Sequence, residues 1–254
     1  DPIGGPDSKW KKRGGGPNVA TFFDDFTDGH GYIPSEETVA SAQGKFSELA
    51  NMGQWLVTVT AAGDNETIVC ADDAPGGVIA MTNGSANDDS IEAQINGEMW
   101  ALASGRDIVF ECRLSVSDVD ACDWMVGIAI QDTAVIDGTD DFIGFGNSAN
   151  TADVYCANGK DASGVLPFSG GAATTRTDTG TNLSNGTVST NFVTLRFEVT
   201  GTSEIRYFVD GVEVATHTTN LPDNEAMTTT MCIQNAAGAA KELNVDYIYV
   251  AATR

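Results

Sequence analysis

Positive charge is scarce in this chain. Lys and Arg number 13 against 36 Asp and Glu, for a formal net charge of −23. So strong a negative field repels phosphate backbones and keeps a protein soluble, which excludes nucleic-acid binding by the body of the chain. Histidine is nearly absent, with His30 and His217 alone. The five cysteines (Cys70, Cys112, Cys122, Cys156 and Cys232) contain no C-x-x-C pair, so no familiar zinc spacing exists. An odd, sparse set also differs from a disulfide scaffold and reads as reduced, structural thiols. No apolar run approaches the roughly 18 residues of a membrane span, and nothing at the start resembles a secretory signal. The chain opens on Asp1 rather than Met, which points to processing or to residues upstream. G-x-S-x-G, P-loop and G-x-G-x-x-G motifs are all missing.

The few basic residues are unevenly placed. Lys9, Lys11, Lys12 and Arg13 fall within five positions, so residues 1–17 carry four basic groups against two acidic ones and the remainder nine against 34. That segment, "DPIGGPDSKWKKRGGGP", is rich in Gly and Pro and has only Ile3 and Trp10 as large apolar groups. It reads as an extended arm preceding a single domain over 18–254. Fully extended, the arm would reach roughly 55 Å at about 3.3 Å per residue.

From Thr21 onward the dominant period is two. In "IVFECRLSV" Phe110, Cys112 and Leu114 share one face. In "WMVGIAIQ" Trp124, Val126, Ile128 and Ile130 do so, in "VTLRFEV" Val193, Leu195, Phe197 and Val199, and in "LNVDYIYV" Leu243, Val245, Tyr247 and Tyr249. "RYFVDGVEVATH" reads as a hairpin turning at Asp210-Gly211, a type I′ signal. A helical stripe is weakly suggested only around "PSEETVASAQGKFSEL". Gly159–Asn191, poor in large apolar groups, reads as a long surface excursion. About a dozen short strands joined by turn-rich loops predict an all-β, two-sheet antiparallel sandwich.

The segments "FFDDFTDGHG", "GGVIAMTNGSANDDSIEAQI", "FECRLSVSDVDACDWMVGIAIQD", "DDFIGF", "TLRFEVTGTSEIRYFVDGVEVAT" and "LNVDYIYVAATR" follow one another in that order. Together they resemble the concanavalin A-like lectin/glucanase jelly rolls, and within these the versions found among structural proteins of tailed, particularly marine, bacteriophages. The resemblance implies a jelly-roll sandwich over roughly 20–254. Glycosidases of this fold would carry Glu-x-Asp-x-(x-)Glu on one strand, where alternation aims the carboxylates into one cleft. That spacing is absent, since "ECRLSV" and "EAQINGE" place their acids differently.

These readings lead to the expectation of a non-enzymatic virion protein, a head decoration or cement protein in a particle assembled in the bacterial cytoplasm. It would bind capsid or other virion proteins and further copies of itself. Trp10, with Lys9, Lys11, Lys12 and Arg13, would be the tether: burying an indole of up to about 250 Å² is worth up to about 6 kcal/mol before ordering costs. The alternative is a lectin-like, carbohydrate-binding module on a tail or capsid spike that contacts glycans of the host surface, with Trp55 and Trp100 as the aromatic platform. No cofactor is required; a calcium ion could be held by Asp137, Asp140 and Asp141 in "DGTDDF", because calcium accepts six to eight oxygens from flexible loops. No membrane partner is expected.

Overall fold

The computed structural model describes residues 19–26, 44–46, 55–60, 66–71, 77–147, 151–162, 167–168, 170–223 and 225–254. They form a sandwich of two antiparallel sheets, the jelly roll expected. The first sheet runs β14 (Val212–His217), β13 (Glu204–Val209), β12 (Val193–Thr200), β7 (Asp107–Val116), β16 (Glu242–Thr253), β5 (Ile79–Thr82), β4 (Thr67–Cys70). Twelve-residue β16 shares one edge between two partners: residues 242–245 pair with β5, and residues 248–253 with β1 (Val19–Asp24). The second sheet runs β11 (Thr174–Asn182), β10 (Asp153–Gly159), β9 (Phe142–Asn147), β8 (Cys122–Ala129), β15 (Thr228–Asn235), β6 (Ser90–Ile95), β3 (Trp55–Thr60), β2 (Gly44–Phe46).

Period-two alternation sends one side chain in two between the sheets, and these fill the core. Phe110, Cys112 and Leu114 of β7, Trp124, Val126 and Ile128 of β8, and Val193, Leu195, Phe197 and Val199 of β12 all meet there. Asp210 (φ 47°) and Gly211 (φ 81°) both adopt positive φ, the backbone of the type I′ hairpin between β13 and β14. β16 departs from simple alternation. Its pairing with β7 slips one residue between Val245 and Tyr247, a bulge at Asp246. One extra residue reverses the facing of everything beyond it. Leu243 and Val245 point inward as expected, but Ile248 and Val250 take the core positions after the bulge, and Tyr247 and Tyr249 turn to the outer face.

The Gly159–Asn191 excursion contains a nine-residue strand, β11, paired with β10. Its sequence, TTRTDTGTN, offers no apolar residue to the core, so alternation of buried against exposed carried no hydrophobic signal. In the weak helical candidate, Gly44–Phe46 form a strand, and the rest lies outside the described residues.

A second, smaller core lies on the outer face of the β11-to-β2 sheet. Met125, Ala129, Phe142, Ala157 and Cys232 rise from the strands, and Val135, Ile136, Ala162 and Phe168 descend on them from connecting segments. Gly146 makes this possible: a Cβ there would lie 2.1 Å from the Trp124 carbonyl oxygen and 2.5 Å from the Phe168 ring. Gly146→Ala is expected to lower stability by about 1–3 kcal/mol, the usual range for overpacking; an unchanged urea midpoint would contradict this packing.

Candidate functional site

The outer face of the same sheet also carries its polar groups. On β6 the residues Ile91, Ala93 and Ile95 enter the main core, so Ser90, Glu92 and Gln94 must face outward. Beside them in register stand Leu56 and Thr58 of β3 and Thr230, Cys232 and Gln234 of β15. Of these, Glu92, Gln94, Thr230 and Gln234 are buried even though they face away from the core. The chain between β8 and β9 crosses over them. Its segment Gln131–Asp137 ends in a 3-10 turn, Val135–Asp137.

Side chains of the sheet hold this strap by its backbone. Asp132 N–H donates to Gln94 Oε1 (2.9 Å), while Gln94 Nε2 donates to the Ile130 carbonyl and to Thr230 Oγ1 (3.0 Å each). Val135 N–H donates to Glu92 Oε2 (3.1 Å) and Ile136 N–H, more distantly, to Oε1 (3.4 Å). Gln234 Nε2 donates to Asp137 Oδ1 (3.1 Å). Burial raises the Glu92 carboxyl to about 7; the two N–H groups oppose that shift, and the nearby Asp132 and Asp137 charges add to it.

At the edge of the strap lies a groove of about 500 Å³ lined by Leu56, Glu98, Gln131, Asp132 and Thr133. Its two carboxyl groups are clamped to neighbouring backbone positions. Gln131 N–H donates to Glu98 Oε1 at 2.8 Å, and Asp132 Oδ1 accepts from Thr133 N–H at 2.6 Å and Ala134 N–H at 3.3 Å. Because Glu98 is tied to the peptide next to Asp132, one residue's reach limits the separation of the two carboxyl carbons to roughly 10 Å. That range includes the spacings of about 5–9.5 Å at which paired carboxyl groups cleave glycosidic bonds.

The residues singled out in the sequence fall elsewhere. Lys9, Trp10, Lys11, Lys12 and Arg13 lie outside the described residues. Trp55 (6% exposed) and Trp100 (1%) are core residues, with indole N–H groups donating to Asp24 Oδ2 and Thr229 Oγ1 at 3.0 Å. Neither presents a ring to a surface glycan. Alternation places Trp55 inward on β3, and Trp100 packs beneath its bridge to Met227. Asp137, Asp140 and Asp141 do not converge either: Asp137 accepts from Gln234, Asp141 accepts from Asp161 N–H at 2.7 Å, and Asp140 is exposed. Among the described residues no three His, Cys, Asp or Glu side chains gather as a metal site requires.

His217, which reads as a surface residue, is only 4% exposed. Its Nδ1 lies 2.7 Å from Asn158 Oδ1 and its Nε2 2.8 Å from Thr177 Oγ1, bridging β14 of one sheet to β10 and β11 of the other. Burial lowers its pKa to about 4, so the ring is neutral at pH 7. In "EAQINGE" a usable signal was present: Glu92 and Gln94 alternate with Ile91, Ala93 and Ile95, which marks two polar residues on one strand face. Asp132 could not be paired with Glu98 from the sequence, since 34 positions separate them.

No family model matches the chain, and no curated protein matches it. Solved structures do. An endo-1,3-β-glucanase from Streptomyces sioyaensis aligns over 94% of this chain and 98% of its own, with a TM-score of 0.53 and 14% identity. A β-glucanase from Bacillus licheniformis aligns over 91% and 97%, with a TM-score of 0.52 and 14% identity. A protein of unknown function from Shewanella oneidensis MR-1 aligns over 99% and 95%, with a TM-score of 0.54 and 12% identity. At these identities the likeness shows the fold, the concanavalin A-like jelly roll of the glucan hydrolases. The matches correct the expectation of a non-enzymatic virion decoration protein: two of the three structures are glucanases by their printed names, and nothing in the matches ties the chain to a phage particle or a capsid partner.

Proposed function

We propose that this chain is a carbohydrate-active protein that takes a neutral glycan, of the β-glucan class, into the groove beside the strap and hydrolyses it. The observation that carries this reading is the clamped pair Glu98 and Asp132 on the wall of that groove. Glycoside hydrolysis needs two carboxyl groups within several ångströms, one to move a proton at the leaving oxygen and one to act on the sugar or on water. The backbone N–H groups fix both side chains before substrate arrives, so little reorganisation is left for the reaction. Leu56 supplies an apolar surface for a sugar ring, and Gln131 and Thr133 supply hydroxyl-bonding groups. A net charge of −23 opposes acidic polysaccharides and leaves neutral ones. The jelly-roll likeness to glucan hydrolases supports the same substrate class.

Reducing-sugar release from β-1,3- and mixed-linkage β-glucans tests the reading. Asp132→Asn and Glu98→Gln are each expected to lower release by about 10²–10⁴-fold, with an unchanged melting temperature, because Asn still caps the strap and both replacements keep the side-chain volume. Binding without release by the wild-type protein would overturn hydrolysis. Neither binding nor release would overturn the glycan reading itself.

A further inference from the structure

Two adjoining patches on the outer face of the β11-to-β2 sheet are covered in different ways. Where Phe168 descends, the sheet offers Met125, Phe142 and Ala157, an apolar surface suited to permanent burial. Beneath Gln131–Asp137 it offers Glu92, Gln94, Thr230 and Gln234, next to the edge of that apolar core where Val135 and Ile136 dock. A face meant only to be capped would be apolar, since buried polar groups must each find a partner. Here Glu92, Gln94 and Gln234 find most of their partners on the strap: the N–H groups of Asp132, Val135 and Ile136, the carbonyl of Ile130 next to it and the carboxylate of Asp137, while Thr230 bonds Gln94 and the Thr228 carbonyl and Gln234 also reaches the Asp88 carbonyl. Each of those bonds is of a kind that a sugar hydroxyl can replace, because a hydroxyl both donates and accepts.

The strap itself is held by side chains and not by a strand ladder. It pairs with no strand, its only regular element is one 3-10 turn, and Val135 and Ile136 are its buried apolar anchors. Such segments open locally at far lower cost than the strands below them. It is also the wall of the groove, through Gln131, Asp132 and Thr133. Lifting it would join the groove to the buried polar patch as one continuous cleft.

We propose that the glycan-binding surface continues under the strap, across Gln94, Glu92, Thr230 and Gln234, and that Gln131–Asp137 is a cover that lifts to admit a neutral glycan chain. The assignment of the ligand rests on the hydrolase reading; the movement of the cover does not. Charge sets the balance of the two states. The titratable groups facing Glu92 are Asp132 and Asp137 on the cover and the Cys232 thiol on β15, while β3 and β8 present the uncharged Thr58 and Met125 in the adjoining register. An ionised Glu92 beneath two aspartates is better accommodated when water reaches it. Opening is therefore favoured as pH rises, between the usual carboxyl range and the raised value of Glu92 in the closed state.

Hydrogen exchange read by mass spectrometry tests this on the full chain. In the free protein, peptides over 130–139 should exchange by local opening while those over 90–95 and 228–234 wait for global unfolding. After correction for intrinsic rates, opening of the cover should rise about tenfold from pH 6 to pH 8. Glu92→Gln should abolish that rise. Gln234→Met, which removes the bond to Asp137 and the longer contact of the same amide with the Asp88 carbonyl, should speed exchange of the cover while peptides over 90–95 and 228–234 stay protected. A β-1,3-glucan hexasaccharide, its binding followed by calorimetry in the same samples, should increase exchange over 130–139 several-fold. Cover peptides that exchange only with the strands overturn the inference, and so does hexasaccharide binding that leaves their exchange unchanged or slower. Absence of calorimetric binding overturns both the hydrolase reading and the glycan assignment of this face, but is distinguished from failure of the cover by the exchange of the free protein.

Discussion

Phe197→Ala is expected to cost about 3–5 kcal/mol of folding free energy. Phe197 lies at the centre of an aromatic group that joins the two sheets. Its ring stacks on Phe110 of β7 with centroids 4.9 Å apart and planes 7° from parallel, and it meets Tyr207 of β13 at 6.1 Å. Tyr207 then meets Phe145 of the other sheet edge-on at 5.4 Å. Removing the ring takes away its transfer free energy and leaves a cavity that the flanking strands, tied by ladder hydrogen bonds, cannot collapse to fill. Urea denaturation measures the loss. Phe23→Ala is the comparison: Phe23 is 47% exposed on the outer face beside Tyr247 and Tyr249, and its loss should cost much less. Equal costs for the two variants would mean that the core is not organised around Phe197.

The second large effect is a pH dependence concealed in the native protein and revealed by substitution. His217 has its pKa lowered to about 4 by burial, against an ordinary value of 6.5. The unfolded chain therefore binds a proton that the folded chain refuses, and the stability His217 contributes above pH 6.5 is lost as pH falls towards 4. Glu92 behaves in the opposite sense. Its carboxyl is raised from 4.5 to about 7, so the folded chain keeps a proton that the unfolded chain releases, and stability is lost as pH rises from 4.5 to 7. Each shift corresponds to about 3 kcal/mol. Between about pH 4.5 and 6.5 the two slopes oppose and nearly cancel. Glu92→Gln should leave stability rising with pH across that window, and His217→Gln should leave it falling. Urea midpoints at half-unit intervals of pH give the answer. Slopes that stay flat in both variants would show that neither group is buried in the protonation state assigned here.

How much could be read beforehand differs from strand to strand. On β7 and β12 the inward faces were legible because large apolar residues recur at every second position against mostly polar ones, on β8 because Trp124, Val126 and Ile128 recur at the same period, and the hairpin was legible because Asp210-Gly211 suits only a narrow set of backbone angles. On β16 the same reasoning succeeded up to Val245 and then inverted. The bulge at Asp246 is a choice made by pairing with β7, and Tyr247 and Tyr249 are amphipathic enough to suit either face. β11 stayed hidden because both of its faces are polar. Its identity as a strand depends on β10 offering an open edge.

The candidate site was less legible than the fold. Of its two acids, Glu98 stands in "EAQINGE" and Asp132 at the end of "GIAIQD", and a spacing within one strand cannot pair them, because they come together from two connecting segments. The charge split between residues 1–17 and the remainder was real as a count, but charge governs solubility and encounter, not fold or activity. It carried no information on which role the chain has.

The sequence alone determined the all-β class, the inward faces of β7, β8 and β12 and the main hairpin, because alternation and turn chemistry act between residues a few positions apart. Only the tertiary structure decided that Trp55 and Trp100 are core, that His217 bridges the sheets, and that a strap buries Glu92 and Gln94. Those outcomes depend on which strands become neighbours and on what crosses above them. They are set by burial and hydrogen bonding between groups far apart in the chain, which no local pattern encodes.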